Sequence, residues 1–186
     1  MFILASKSPR RAELLKKIYS KEFLIDPTDA DESLIKNIKP CDTSLSIALL
    51  KMQTAIIKHP KDIILTADTI VIQNNRIYGK PKSKDEAIEM LNNLGGVPHQ
   101  VITGYAIAIN GEIVVKNKTV TNLTLGKMSN EDIEKYIKTG SPFDKAGGYG
   151  IQDQEYIKVE KIDGSFANVM GLPIEDIQKE FIKLKI

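Results

Sequence analysis

The spacing of apolar residues predicts strands in several parts of the chain. Residues 63–72 (IILTADTIVI) are apolar and β-branched at both even and odd positions, which is typical of a central strand covered on both faces. Shorter apolar runs at 2–5, 23–25 and 156–162 predict three more strands. Two further β-rich runs flank Asn110-Gly111, a dipeptide that favours a tight hairpin turn.

Apolar residues at helical spacing alternate with these strands. They predict helices from residue 9 to about 19, over 42–58, from 84 to Gly95-Gly96, from Ser129 to Gly140, and from Pro173 onward. Ser83 and Glu86 have the spacing of a capping box at the start of the third helix. We therefore expect a mixed α/β fold with an antiparallel component, in a single domain over residues 1–186.

Composition narrows the possible functions and locations. The net charge of +2 gives no global field for wrapping nucleic acid, so we expect no nucleic-acid partner. Cys41 is the only cysteine, which excludes an intrachain disulfide and a cysteine metal cluster. No apolar run is long enough to span a bilayer, and the N-terminal order of apolar and basic residues is the reverse of a signal peptide's. We expect a cytoplasmic protein with no membrane association.

The stretch SKSPRR at 6–11 places two cations at an unfavourable end of a helix. Ser8 is a suitable N-cap and Pro9 suits the first helical position, so Arg10 and Arg11 lie in the first turn. Each cation costs roughly 0.3–1 kcal/mol there. A bound polyphosphate would reverse this term, because the free backbone N–H groups at the helix N-terminus and two guanidinium groups all suit phosphate oxygens. The alternative is an ordinary Ser-Pro cap with solvated arginines.

Two acidic residues and one lysine are further candidates. Asp68 interrupts the apolar run at 63–72, where a carboxylate is costly unless it is paired, binds a hard cation or acts as a general base. Glu32 lies in an acidic loop that either binds magnesium or is merely solvated. Pro81 holds Lys80 extended, so Lys80 either reaches a phosphate or is a surface lysine in a turn.

A glycine-rich segment at 140–153 (GSPFDKAGGYGIQD) carries Lys145 and Gln152 among residues that permit close backbone approach. The carboxamide of Gln152 matches the imide N–H and neighbouring carbonyl of uracil or thymine. It rejects cytosine only if neighbouring groups hold its orientation. The alternative is a long structural loop, although loops of this length are usually functional or disordered.

Several common enzyme classes lack their motifs in this chain. It contains no GxxxxGK[ST], no GxGxxG after a strand and no GxSxG. The two histidines are isolated from each other and from Cys41, which disfavours zinc.

The ordered set of motifs resembles the Maf family of nucleoside triphosphate pyrophosphatases over nearly the whole chain. The matching pieces are Ser6, Ser8-Pro9-Arg10-Arg11, Asp31-Glu32, Lys51, Ala67-Asp68-Thr69, Lys80-Pro81, Asp144 to Gln152, Gly164-Ser165 and Val169 to Pro173. Two positions depart from the family pattern: Lys7 replaces a small residue, and Met52 often corresponds to alanine. The resemblance implies a Maf/inosine-triphosphatase-like α/β fold, an elongated mixed sheet flanked by helices with a cleft between two lobes.

The resemblance also implies the activity and the role of each residue. The reaction is hydrolysis of dTTP and UTP to the monophosphate and pyrophosphate, with a divalent cation (Mg²⁺ or Mn²⁺). We expect Glu32 and Asp68 to hold this cation. Asp68 is the proton acceptor. The residues implied in catalysis are Asp68, Glu32, Lys80 and Lys51, and those implied in substrate binding are Ser6, Ser8, Arg10, Arg11, Thr69, Lys145 and Gln152. Of these, Arg11, Thr69 and Gln152 are associated with substrate choice.

Three questions stay open at this point. Family members often pair as homodimers, so a homodimer is possible here. The family has also been linked to septum formation, so the alternative function is a non-catalytic nucleotide sensor in cell division. The physiological nucleotide is either a standard pyrimidine or a modified one, and a modified one would suggest a housecleaning role.

Overall fold

The computed structural model describes all 186 residues, Met1–Ile186. The strands are β1 (Phe2–Leu4), β2 (Leu24–Ile25), β3 (Ile63–Gln73), β4 (Arg76–Tyr78), β5 (His99–Ile109), β6 (Glu112–Leu125) and β7 (Val159–Asp163). The helices are α1 (Pro9–Lys16), α2 (Thr43–Lys58), α3 (Lys84–Leu94), α4 (Asn130–Lys138), α5 (Phe166–Met170) and α6 (Ile174–Leu184). The mixed α/β architecture inferred from the sequence is confirmed.

All seven strands form one mixed sheet in the order β2-β1-β3-β5-β6-β7, with β4 paired to β3. β1 runs parallel to β2 and β3, while β3, β5, β6 and β7 form antiparallel pairs. In the β3–β5 pair Asp68 lies opposite Gly104 and Thr69 opposite Thr103. The central, largely buried strand expected at 63–72 is therefore β3.

Apolar side chains pack on the sheet in two regions, which we call the first and second lobes. The first lobe surrounds β1 with α1, α2 and α6, and the second contains α3 and α4. In the first lobe, alternate residues of β1 point to opposite faces: Phe2 and Leu4 pack toward α1 and α6, whereas Ile3 packs toward α2. In the second lobe, α3 and α4 pack on the ends of β3, β5 and β6, around residues such as Val71 and Val101.

Asp68 and Thr69 lie at the junction of these lobes. On β3, Ala67 belongs to the core of the first lobe and Val71 to that of the second. The polar pair between them therefore lies where neither core is continuous, and this position leaves room for a cleft.

The structure adds two elements to those predicted and changes the limits of others. β4 and α5 were not predicted, and α1 ends at Lys16 rather than near residue 19. The apolar run at 23–25 yields only Leu24–Ile25, both exposed at a sheet edge. The capping box of α3 is shifted: Ser83 Oγ accepts the Glu86 N–H at 3.2 Å, but the Glu86 carboxylate accepts the Lys82 N–H at 2.7 Å.

None of the helices combines the length and the apolar character that crossing a membrane requires.

Candidate active site

A cavity of about 770 Å³ opens between the two lobes and is lined by both. Eleven residues singled out in the sequence come from six separate segments of the chain, and all of them line this cavity. They are Ser6, Ser8, Arg10, Arg11, Glu32, Lys51, Asp68, Thr69, Lys80, Lys145 and Gln152. The fold therefore brings the whole candidate set to one place, although their individual roles stay predictions.

Lys51 joins the two acidic candidates. Its Nζ lies 2.7 Å from Asp68 Oδ1 on β3 and 2.9 Å from Glu32 Oε1 in the acidic loop. Lys51 and Asp68 are largely buried, whereas the Glu32 side chain is 50% exposed. The ammonium group allows the two carboxylates to approach the same point, since unpaired like charges would repel each other.

Opposing influences act on the Asp68 carboxyl group. Burial raises its pKa, while the positive charges of Lys51 and Arg11 lower it and the negative charge of Glu32 raises it. Burial dominates, so the pKa of Asp68 lies above its ordinary value. A carboxylate with a raised pKa is a better proton acceptor, and that property suits a general base.

The first turn of α1 faces the cavity. Ser8 stands at the N-cap, but its side chain makes no capping bond; instead its N–H donates to Ser6 Oγ at 3.2 Å. Arg10 NH1 pairs with Asp144 Oδ2 at 2.6 Å, and Arg10 NH2 donates to the Asp144 carbonyl at 3.3 Å. The charge of Arg10 at the helix N-terminus is thus offset by a carboxylate from the glycine-rich segment.

Arg11 is held by three hydrogen bonds. Its Nε donates to the Gly171 carbonyl at 2.8 Å, NH1 to Ser6 Oγ at 3.2 Å and NH2 to Thr69 Oγ1 at 3.1 Å. Burial lowers the pKa of Arg11, opposed by the charge of Asp68. A guanidinium carries five N–H donors, so the two not used here are available to a ligand in the cavity.

A chain of hydrogen bonds supports this arginine from behind. Thr69 Oγ1 lies 2.9 Å from Thr103 Oγ1 on β5, and Thr103 Oγ1 donates to the Asn168 carbonyl at 3.1 Å. Asn168 is fully buried, and its amide donates to the carbonyl of Val101. α5, which the sequence pattern did not reveal, therefore orients two candidate residues.

The glycine-rich segment forms short 3₁₀ turns that present Lys145 and Gln152 to the cavity. Lys145 is buried, and its Nζ contacts Asp144 Oδ1 at 2.6 Å and the Ser141 carbonyl at 2.7 Å. Gln152 Nε2 donates to Asp153 Oδ1 at 3.3 Å. Lys80 also lines the cavity, next to Gly79, whose carbonyl accepts the Gly147 N–H of this segment at 2.9 Å; the Lys80 side chain is exposed and makes no hydrogen bond or ion pair within the protein.

Asp144 also lines the cavity, but it was not among the residues predicted to bind the substrate or to act in catalysis. Burial opposes its ionisation, yet Lys145 and Arg10 outweigh burial, so the pKa of Asp144 lies below its ordinary value. A carboxylate directly before Lys145 in a segment of otherwise small residues was the available signal. Its position 134 residues after Arg10 kept the ion pair from being predicted.

Glu32 and Asp68 are the carboxylates that could hold a cation. Nowhere does the structure cluster three or more His, Cys, Asp or Glu residues at metal-binding distance. Two carboxylates beside an anion-binding helix terminus suit Mg²⁺ or Mn²⁺ shared with substrate phosphates, because magnesium typically takes one or two protein carboxylates plus phosphate oxygens and water. The residues present therefore fit such an ion.

Comparison with proteins of known structure identifies the fold. A Ham1 protein of Staphylococcus aureus aligns with a TM-score of 0.55 at 13% identity, covering 100% of this chain and 99% of the other. A HAM1 protein of Coxiella burnetii aligns with a TM-score of 0.53 at 14% identity and 98% coverage of both chains. The Maf/inosine-triphosphatase-like fold expected from the resemblance agrees with this likeness.

Sequence comparison identifies the family. A dTTP/UTP pyrophosphatase of Pyrococcus furiosus is 44% identical over 172 residues, which cover 92% of this chain and 89% of the relative. A dTTP/UTP pyrophosphatase of Bacillus cereus is 41% identical over 189 residues, covering 99% and 95%. The family model for Maf-like protein matches residues 1–184. The chain therefore belongs to the Maf-like protein family.

Proposed function

We propose that this protein hydrolyses dTTP and UTP to the nucleoside monophosphate and pyrophosphate. One observation carries the proposal: Lys51 joins Glu32 and Asp68 in the same cleft that receives the arginines of α1. An acidic centre facing an anion-binding helix terminus suits hydrolysis of a polyphosphate. Relatives at 41–44% identity that bear the name dTTP/UTP pyrophosphatase support the choice of substrate.

The triphosphate lies against the first turn of α1. Free backbone N–H groups of the first helical turn and the two remaining donors of Arg11 face its oxygens. Arg10 exchanges its ion pair with Asp144 for a phosphate, and Lys80 supplies a further cation. Lys145 completes the positive lining from the glycine-rich segment.

Glu32 and Asp68 would hold the divalent cation. When bound, the cation neutralises charge on the phosphates and on the departing pyrophosphate. Lys51 keeps the two carboxylates together before the nucleotide arrives.

Asp68 orients the attacking water and accepts its proton. The water oxygen forms a bond to the α phosphorus, and the bond from that phosphorus to the bridging oxygen breaks. The electron pair of that bond leaves with pyrophosphate. Positioning and electrostatic stabilisation supply most of the acceleration, as in other phosphoryl transfers.

Gln152, Thr69 and Arg11 select the pyrimidine end. The Gln152 amide pairs with the base. Thr69 and Arg11, which are hydrogen-bonded to each other, form the wall between the base and the phosphates. Carboxylates at both Glu32 and Asp68 favour catalysis over nucleotide sensing, since simple anion binding would be weakened by them.

A direct assay tests the proposal. Purified protein is incubated with a panel of standard and modified triphosphates, with Mg²⁺ or Mn²⁺, and pyrophosphate and monophosphate are measured. We expect both products in equal amounts, fastest from dTTP, UTP or a modified pyrimidine, and none after addition of EDTA. Release of orthophosphate, or binding of the nucleotide without turnover in the presence of metal, would contradict the proposal.

Cytoplasmic location, pairing as a homodimer and a housecleaning role toward modified pyrimidine nucleotides stay predictions. Turnover of modified pyrimidine triphosphates at higher kcat/KM than dTTP in the same panel would support the housecleaning role.

A further inference from the structure

Asp153 lies directly behind the base-reading candidate Gln152. The Asp153 side chain is 22% exposed and does not line the main cavity, whereas Gln152 does. Asp153 Oδ1 accepts a hydrogen bond from Gln152 Nε2 at 3.3 Å. The contact therefore joins a residue outside the cleft to one that faces it.

This contact fixes the orientation of the Gln152 amide, that is, which of its two ends is the NH₂ group and which is the oxygen. An ionised carboxylate can only accept hydrogen bonds, so the NH₂ group of Gln152 has to face Asp153. The Oε1 atom then points away from Asp153 and has no hydrogen-bond partner in the protein. Gln152 thus offers a ligand an acceptor with a defined position.

Asp153 is itself prevented from turning. Its Oδ2 accepts hydrogen bonds from Tyr136 Oη and Ser141 Oγ, each at 2.6 Å. Tyr136 Oη in turn accepts the Gly150 N–H at 2.9 Å, and Ser141 Oγ accepts from Lys145 at 2.9 Å. With Oδ2 occupied by two donors, Oδ1 stays directed at Gln152.

Gly150 leaves the space that this arrangement requires. A Cβ at position 150 would overlap Gln152 Nε2 and would lie 2.7 Å from both Asp153 Oδ2 and Lys145 Cε. Any side chain there would push the amide out of its position. The backbone, the carboxylate and two hydroxyl groups therefore all converge on one orientation of Gln152.

We propose that Asp153 is a positioning residue that sets the base preference by holding the Gln152 amide with its oxygen toward the base. The inference rests on the proposed function for the identity of the ligand. Uracil and thymine present an N–H donor at position 3, which matches Oε1. Cytosine presents an acceptor there, and two acceptors repel each other.

The same donor and acceptor matching distinguishes adenine from guanine. Adenine has an acceptor at the equivalent ring nitrogen and is rejected with cytosine. Guanine has an N–H donor there, so the orientation of Gln152 does not exclude it. Loss of this orientation should therefore help cytosine and adenine, and should penalise guanine together with uracil.

The Asp153→Asn variant tests the proposal, with kcat/KM measured for UTP, CTP and GTP. Tyr136 and Ser141 donate to the oxygen of the new amide, so its NH₂ group faces position 152 and the Gln152 amide turns over. We expect the ratio of kcat/KM for UTP to that for CTP to fall at least about tenfold, the effect of one mispaired hydrogen bond. Any activity with GTP should fall together with that for UTP, because guanine presents the same N–H donor.

Two controls separate orientation from general damage to the loop. Asp85→Asn makes the same charge change at an exposed position of α3 outside the cavity, and should keep the wild-type ratio. Inhibition by tripolyphosphate, which has no base, should also be the same in wild type and Asp153→Asn. Equal losses with UTP and CTP, leaving their ratio unchanged, would overturn the proposal.

A second variant and a binding measurement cover the remaining outcomes. Asp153→Ala removes the acceptor without supplying a donor, so the UTP-to-CTP ratio should move toward one without inverting.

If wild type hydrolyses no triphosphate, the proposed function fails, and calorimetric binding of UMP and CMP to wild type and Asp153→Asn then tests the orientation alone. If neither variant folds, wild-type binding decides: preference for UMP supports the orientation, and equal affinity overturns it.

Discussion

At the scale of single residues, the site depends on charges that are balanced in pairs. Lys51 serves two carboxylates, and Asp144 serves two cations, Arg10 and Lys145. Each cluster is made of groups that would be unstable alone in a partly buried cleft. A substrate that brings phosphates and a metal ion therefore replaces one ion-pair partner of these side chains with another, and none of them is left unpaired before it binds.

Asp68→Asn isolates the acidic centre. The amide keeps the size of the side chain but cannot accept a proton, so turnover of dTTP should fall by about 10²- to 10⁴-fold. Nucleotide affinity and the unfolding midpoint should change little, because the arginines of α1 are untouched. Pyrophosphate release measures turnover, and calorimetry with dTTP measures affinity.

Asp85→Asn serves as the matched control for this change too, because Asp85 is exposed and lies outside the cavity. Near-wild-type release of pyrophosphate by Asp68→Asn would remove Asp68 from the role of proton acceptor.

The sequence predicted which residues meet but not how they are paired. Asp68 can be singled out from the sequence because it is a carboxylate inside an apolar strand, and Gln152 because it lies in a long glycine-rich segment. Contacts such as Arg10 with Asp144 depend on how distant segments are placed in the fold, and local pattern carries no information about that. Rejection of cytosine requires a neighbour that orients the Gln152 amide, and Asp153 is the neighbour that the structure supplies.

At the scale of elements, the site depends on how closely α2 packs on the sheet. Gly104 on β5 pairs with Asp68, and a Cβ at this position would overlap the backbone of Ser44 and Leu45. The first turn of α2 therefore lies directly against the strand beside Asp68. This packing sets the distance over which Lys51, two turns further along, reaches the carboxylate.

Gly104→Ala should push α2 away from the sheet. We expect a loss of about 1–3 kcal/mol in the free energy of unfolding, the usual cost of overpacking, measured by urea denaturation. Turnover should fall as well, since Lys51 moves with the helix. Gly79→Ala is the control for stability, because a Cβ there meets no atom within 4 Å. Equal unfolding free energies for the two variants would show that α2 tolerates the displacement.

The elements that the sequence pattern missed are short ones. β4 has three residues, but it follows Asn74 and Asn75, both with positive φ, and such a pair is a recognised signal for a tight hairpin. α5 has five residues between the cap Ser165 and Gly171, whose φ is 113°. Periodicity needs more residues than these to be visible, whereas turn and cap chemistry marks both.

At the scale of the whole molecule, the cores of the first and second lobes share β3 and β5. The cleft lies at the boundary between these two cores. Ligands that bridge the lobes bind between separately stabilised bodies, an arrangement common for small-molecule sites. The integrity of the second lobe then matters for the glycine-rich segment, which packs on it through Tyr149 and Ile151.

A buried histidine makes the stability of that lobe depend on pH. His99 Nδ1–H donates to the Val97 carbonyl at 2.9 Å, so Nε2 is left to accept from Tyr149 Oη at 2.8 Å. Burial lowers the pKa of His99, opposed only by the bond to Val97. The folded protein therefore favours the neutral ring, while the unfolded chain binds a proton with a pKa of about 6.5.

The sign of the effect follows from proton binding. Below about pH 6.5 the unfolded state holds more protons than the folded state, so stability should fall as the pH drops from there toward the lower pKa of folded His99. Above pH 6.5 this contribution should be constant. Urea midpoints from pH 5 to 8 measure the decline in wild type and in His99→Gln. The variant should be less stable throughout but should lose less stability on acidification, because it lacks the buried imidazole that the unfolded state protonates. Parallel declines would mean that groups other than His99 govern the acid sensitivity of the fold.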